Sequence, residues 1–197
     1  DKILDIHNCQ IQPDIGNKIL SVARNACLEN PELKPYDPKT HIGFLRFLML
    51  RFGVNTKQIM VNIVTAYDDL NKLSPLIDTL LKEVPEISSM VNNVNTRKAD
   101  VAYGEFETRV YGNPFIEEKI GGLTFEISAN SFFQTNTFQG EKLYGEVKKA
   151  AELSGEEIVY DLYCGTGTIG LFLAHKAKQV YGFEVIRSAL ENAEKNA

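Results

Sequence analysis

Val159-Tyr160-Asp161-Leu162-Tyr163-Cys164-Gly165-Thr166-Gly167-Thr168-Ile169-Gly170 is the stretch on which the fold turns. With Ile158 in front, its opening residues suit a buried strand. The glycines at Gly165, Gly167 and Gly170 then suit a tight strand-to-helix turn that lets a ligand approach the backbone closely. Apolar spacing predicts a helix over 169–177, a second strand over 179–184 and a second helix over 188–197. That order is βαβα, the opening of a doubly wound parallel sheet. Two parallel strands alone leave faces and edges uncovered, so the reading expects the native chain to run on past Ala197.

Glu184 closes the second strand, where a carboxylate can accept hydrogen bonds from both hydroxyls of a ribose. The glycine pattern by itself would also serve a dinucleotide, or be a turn with no ligand. Asp161, just ahead of the loop, faces a pyrophosphate unfavourably but suits a cationic or amine-bearing ligand. S-adenosylmethionine, with its sulfonium and ammonium groups, matches that demand. No Gly-Lys-Ser/Thr is present, which excludes a P-loop triphosphate site.

Working outward, the chain has 197 residues, 44% hydrophobic content and a formal net charge of −5, enough for one medium domain or two small ones. The acidic balance argues against a highly basic nucleic-acid module and leaves room for a local RNA-binding patch. The apolar run from Gly43 to Phe52 is broken by Arg46 and Arg51, so no membrane span is expected. Cys9, Cys27 and Cys164 form neither a CxxC nor an even framework. A reducing, cytoplasmic setting is the simplest reading. The chain opens at Asp1 without Met or leader, which suggests a piece of a longer protein.

The first part reads as α+β. A helix is expected over 11–30, a hairpin from 41–52 and 58–66 around Gly53-Val54-Asn55-Thr56, a helix over 73–84 and a strand over 88–95. Gly121-Gly122 marks a turn before a strand over 123–127, and the polar segment NSFFQTN leads into a helix over 139–153. The expected domains are 1–126, α+β and RNA-contacting, and 127–197, the start of the α/β part.

On these residues the sequence resembles the RNA uracil-5-methyltransferases, which form 5-methyluridine in ribosomal or transfer RNA. Ile127-Ser128-Ala129-Asn130-Ser131-Phe132-Phe133-Gln134-Thr135-Asn136 is similar to their ISPNSFFQVN segment, and the stretch from Asp161 to Gly170 to their DLYCGTGTIG loop. A weaker likeness, Gly43 to Arg51 against GxLRHLxIR, carries the resemblance into the first part. It implies an incomplete Rossmann-like S-adenosylmethionine methyltransferase domain after a smaller α+β domain, with RNA as substrate, 23S rRNA ahead of tRNA. It implies cofactor contacts at Gln134, Asp161, Tyr163, Gly165, Gly167, Thr168 and Glu184. Gln134 offers donor and acceptor, Tyr163 a flat face, Thr168 a hydroxyl at the helix start and Glu184 a bidentate acceptor.

The family's chemistry needs a cysteine that adds to C6 of uracil and a carboxylate that removes the C5 proton. By the resemblance both lie beyond Ala197, so no residue here is nominated and the piece alone is expected to be inactive. Cys164 reads as a packed thiol. Cys9 matches the last of four cysteines that hold an iron–sulfur cluster in some relatives. Arg46 is the expected phosphate contact and Arg51, five residues on, points to the other face of an unbroken strand. Phe132 is the candidate stacking ring for an extruded base, with core packing claiming at least one of Phe132 and Phe133. His7, His41 and His175 lack metal spacing. The competing readings are a nicotinamide-dependent dehydrogenase and a non-catalytic RNA-binding module.

Overall fold

The computed structural model describes residues 4–99 and 101–197, without the Ser188 side chain. It divides into two compact units: Asp1–Leu50 with Val61–Gly112, and Arg51–Met60 with Asn113–Ala197. The division falls at 112/113 where the sequence suggested 126/127, and it assigns the tip of the first hairpin to the second unit.

The first unit is a four-stranded sheet ordered β1-β2-β3-β4, with strands Leu45–Phe52, Ile59–Thr65, Ser89–Val94 and Phe106–Gly112. Helices α1 (Asp14–Glu29) and α2 (Leu70–Glu83) pack on each other. Every residue of β2 and β3 is buried, so these central strands carry no polar-out alternation. Their buried amides pair instead: Asn93 Nδ2 donates to Asn62 Oδ1 at 2.9 Å, and Asn92 Nδ2 to the Ile63 carbonyl at 2.9 Å. Helix α2 buries Leu73, Leu76 and Leu80, the spacing of one apolar stripe, and Asp69 caps it by accepting from the Lys72 amide. Strand β4 escaped the sequence reading because most of its residues are exposed and its pattern, FETRVYG, carries no apolar alternation.

The second unit opens with the antiparallel hairpin β5 (Phe115–Ile120) and β6 (Leu123–Ser128), which turns at Gly121-Gly122, both at positive φ. A Cβ on Gly121 would lie 2.1 Å from the Phe172 ring, so this turn requires glycine. Glu118 on β5 is fully buried and its carboxylate accepts from four donors: the Val54, Asn55 and Lys119 amides and the Thr137 hydroxyl, at 2.6 to 3.0 Å. The hairpin tip is thereby stitched to β5, helped by Gln58, which exchanges hydrogen bonds with Glu117. Helix α3 spans Thr137–Ala150 and is capped by Asn136.

The expected βαβα follows as β7 (Ile158–Leu162), α4 (Thr168–Ala174), β8 (Gln179–Phe183) and α5 (Arg187–Asn196). β7 and β8 are parallel, with Asp161 opposite Gly182. Contrary to a fully buried strand, Ile158, Tyr160 and Leu162 are exposed, because two strands leave one face of the pair open. Tyr160 stacks on Tyr181 there, their rings 5.6 Å apart. Among the described residues no helix is long and apolar enough to cross a membrane, and no group of three metal-ligating side chains gathers.

Candidate functional site

The turn between β7 and α4 carries backbone that ordinary residues avoid. Tyr163, Gly165 and Gly167 have φ of 60, 57 and 78°. Glycine accepts such angles, whereas a tyrosine there is strained and has to be held in place. Tyr163 is also 85% exposed, its ring projecting rather than packing. Gly170 is needed for space: a Cβ would lie 2.9 Å from Asp161 Oδ2 and 3.1 Å from Val180.

Two carboxylates frame the turn. Asp161 Oδ2 accepts the Gly170 amide at 2.8 Å, and partial burial holds its pKa above the ordinary aspartate value, only partly offset by that bond. Glu184 Oε2 accepts from the Gly165 amide at 3.0 Å and Oε1 from the amides of Val185 and Ile186 at 2.7 and 2.8 Å. These backbone donors, Ile186 foremost, hold Glu184 below the usual carboxylate range, so it stays ionised. Three of its roughly four acceptor directions are therefore in use, leaving capacity for one further strong donor rather than a clean bidentate grip. A cavity of about 430 Å³ opens beside it, lined by Leu162, Tyr163, Gly182, Phe183, Glu184, Val185 and Leu190. A mostly apolar wall with one carboxylate at its edge fits a flat heteroaromatic group attached to a sugar.

Cys164 packs against Gly182, with its thiol pushed up first by burial and then by Asp161 and Glu184. Such a thiol is poorly ionised and a weak nucleophile. Thr168 is buried, with its hydroxyl 3.0 Å from that of Thr166 and bonded to Tyr144. This hydroxyl braces the start of α4. Gln134 lies against Gly140 at the start of α3.

The segment 127–136 is fixed by Arg51 and by an asparagine pair on α5 that the sequence reading passed over. Arg51 donates to the carbonyls of Ala129 and Ser131, and Asn192 Nδ2 to the hydroxyls of Ser128 and Ser131, which are themselves 2.6 Å apart. Asn196 bridges the Glu126 amide and the Thr166 carbonyl, coupling this segment to the glycine turn. The signal was present: Asn192 and Asn196 are four apart and share one face of α5. Phe133 is buried against Phe125, whereas Phe132 is 74% exposed.

Arg46 is engaged within its own unit. Its guanidinium donates to the carbonyls of Asn95, Arg97 and Ala99 at 2.5 to 2.8 Å and stacks over Tyr36 at 4.3 Å. It clamps the 95–99 loop.

A parallel strand pair joined through a glycine turn and a helix, with an acid after the second strand, is the nucleotide-cofactor half of a Rossmann-like fold. Along its whole length the chain is similar to proteins named as RNA methyltransferases. It is 46% identical over 198 residues to a protein of Chlorobaculum tepidum named an uncharacterized RNA methyltransferase, covering 100% of this chain and 41% of that relative. A Halalkalibacterium halodurans protein of the same description is 38% identical over 196 residues, covering 100% of this chain and 43% of the relative. Among solved structures, the tRNA (uracil-54, C5)-methyltransferase of Pyrococcus abyssi in complex with S-adenosyl-L-homocysteine superposes with a TM-score of 0.82. It is 33% identical and is matched over 99% of this chain and 46% of its own. The chain thus spans less than half the length of these relatives. No family model matches the sequence.

Proposed function

We propose that these residues form part of an S-adenosylmethionine-dependent methyltransferase that makes 5-methyluridine in RNA. The observation that carries the reading is the Glu184 carboxylate at the lip of an apolar cavity beside a strained glycine turn, in a chain similar to proteins named as RNA methyltransferases. The cofactor would supply an electrophilic methyl group on sulfur. Glu184 accepts one ribose hydroxyl with its spare lone pair, and Leu162, Phe183 and Val185 receive the adenine. Asp161, Gly165 and Gly167 set the turn, and the Asp161 charge favours a cationic ligand. Tyr163 covers the cavity edge, while Gln134 and Thr168 act by shaping the segments around it. Phe132 offers an exposed ring on which an extruded uracil can stack. The attacking thiol and the proton-accepting base are assigned to no residue of this chain.

RNA is the substrate class. The sequence resemblance favours 23S rRNA, whereas the Pyrococcus abyssi protein is named for tRNA; mass spectrometry of both RNAs after incubation with the complete protein separates the two.

The first test is calorimetric titration of S-adenosylhomocysteine into the chain, with NAD as control. S-adenosylhomocysteine is expected to bind and NAD not. Glu184→Ala should weaken binding at least tenfold, since it removes a charged acceptor and loosens three loop amides. Binding of NAD in place of S-adenosylhomocysteine would overturn the reading.

A further inference from the structure

A second cavity lies wholly in the first unit. Its volume is about 670 Å³, and its wall includes Lys34, Tyr36, Arg46, Tyr67, Lys72 and Lys98. Four cations line it against one carboxylate, Glu32, in a chain whose net charge is −5. A concentration of positive charge so contrary to the whole marks a place for an anion.

Each cation is set by a rigid support. The Lys34 carbonyl accepts from the amides of Phe44 and Leu45, at 2.8 and 3.0 Å, which pins the first loop to the start of β1. Gly43 permits this close packing, since a Cβ there would lie 2.2 Å from the Pro35 carbonyl oxygen. His41, at the cavity wall, is held at φ 59°, with its Nδ1 2.9 Å from the Tyr36 hydroxyl. Lys98 rides on the loop that Arg46 clamps through the carbonyls on either side of it. Lys72 extends from α2 toward Tyr67, its Nζ 3.0 Å from the hydroxyl. Lys34 and Lys98 form no ion pair among the described residues, while Lys72 reaches Glu32 at 3.4 Å. The cavity is thus preformed and its two outer charges are unspent.

Rings accompany the charges. Tyr67 is 43% exposed, backed by Phe44 at 4.9 Å, and Ile42 stands out beside them. Cations around a supported aromatic ring are what single-stranded RNA requires: a charge for the phosphate and a flat surface for the base.

We propose that this cavity seats one unpaired nucleotide of the RNA, with its phosphate between Lys34 and Lys98 and its base against Tyr67. Arg46 is then a positioning residue for Lys98 rather than a contact. The proposal rests on the reading of the chain as part of an RNA-modifying enzyme, and adds a second point of grip separate from the uridine to be methylated.

The test uses the chain and a fluorescein-labelled oligouridylate of twelve nucleotides, followed by anisotropy from 50 to 200 mM KCl. Lys34→Ala with Lys98→Ala should lower affinity about tenfold at 100 mM and flatten the slope of log K against log salt by about 0.7, the value for one neutralised phosphate on a single strand. Tyr67→Leu should lower affinity about tenfold while leaving the slope unchanged. Lys18→Ala with Lys82→Ala removes the same charge from the same unit outside the cavity and should have less than a twofold effect. An equal loss in that control pair, unchanged affinity in the cavity variants, or no RNA binding by the wild-type chain would each overturn the proposal. S-adenosylhomocysteine binding is measured in parallel on every variant. Its persistence beside a failed RNA result removes the cavity and keeps the methyltransferase reading, whereas its absence from the wild type removes that reading whatever the cavity does.

Discussion

Tyr163 bears two costs, a left-handed backbone and an exposed ring, and neither helps the chain to fold. Residues that persist in this state are held by their surroundings, and in a cofactor loop the purpose is to aim the ring. Tyr163→Gly should therefore raise stability to denaturant, by about 1 kcal/mol on the usual cost of such a conformation, while weakening S-adenosylhomocysteine several-fold. Loss of both would make the tyrosine a packing residue. The glycines divide in the same way. Gly170→Ala drives a methyl into Asp161 and Val180 and is expected to cost about 1–3 kcal/mol. Gly145→Ala, in the middle of α3 with open space around its Cβ, should stabilise by up to about 1 kcal/mol. Urea unfolding of the two variants checks both signs.

Among the elements, the turn that leads into β7 depends on one carboxylate. Glu157 accepts from the Ser154 hydroxyl and from the amides of Ser154 and Gly155, and these bonds lower its pKa to about 2. An acid whose pKa is lowered by folding lends its stabilisation above its unfolded value, near 4.3, and withdraws it as pH falls toward the folded one. The Ser154 and Gly155 amide resonances should accordingly titrate with a midpoint near 2; a midpoint near 4.3 would show the turn to be loose. The β5 strand hangs on Glu118 in a different sense, because its four donors lose their acceptor together if the side chain is removed. Glu118→Ala should cost about 3 kcal/mol or more, with Glu118→Gln intermediate since its amide retains one acceptor oxygen. Thermal unfolding of the pair measures it.

At the scale of the whole molecule, the sequence was most legible where chemistry constrains it locally. The glycine turn, its flanking strands and Glu184 stand where the spacing put them, and Phe132 and Phe133 separate into an exposed and a buried ring. What stayed hidden depends on partners distant in sequence. Arg46 meets carbonyls 49 to 53 residues away, and no local pattern distinguishes that fate from a phosphate contact. Strand β5 reads as charged, FIEEKI, because its buried glutamate is satisfied by a turn some 63 residues earlier. Thr168 turned inward because Thr166 and Tyr144 were there to meet it. The same long-distance stitching bears on how the protein emerges during synthesis. The ten residues Arg51–Met60 leave the ribosome more than fifty residues ahead of the rest of their unit. They must wait, turn amides unpaired, until Glu118 arrives. The order of translation and the order of assembly therefore differ here, and a cut at the obvious seam after Gly112 would separate the buried Glu118 side chain from the turn amides that donate to it.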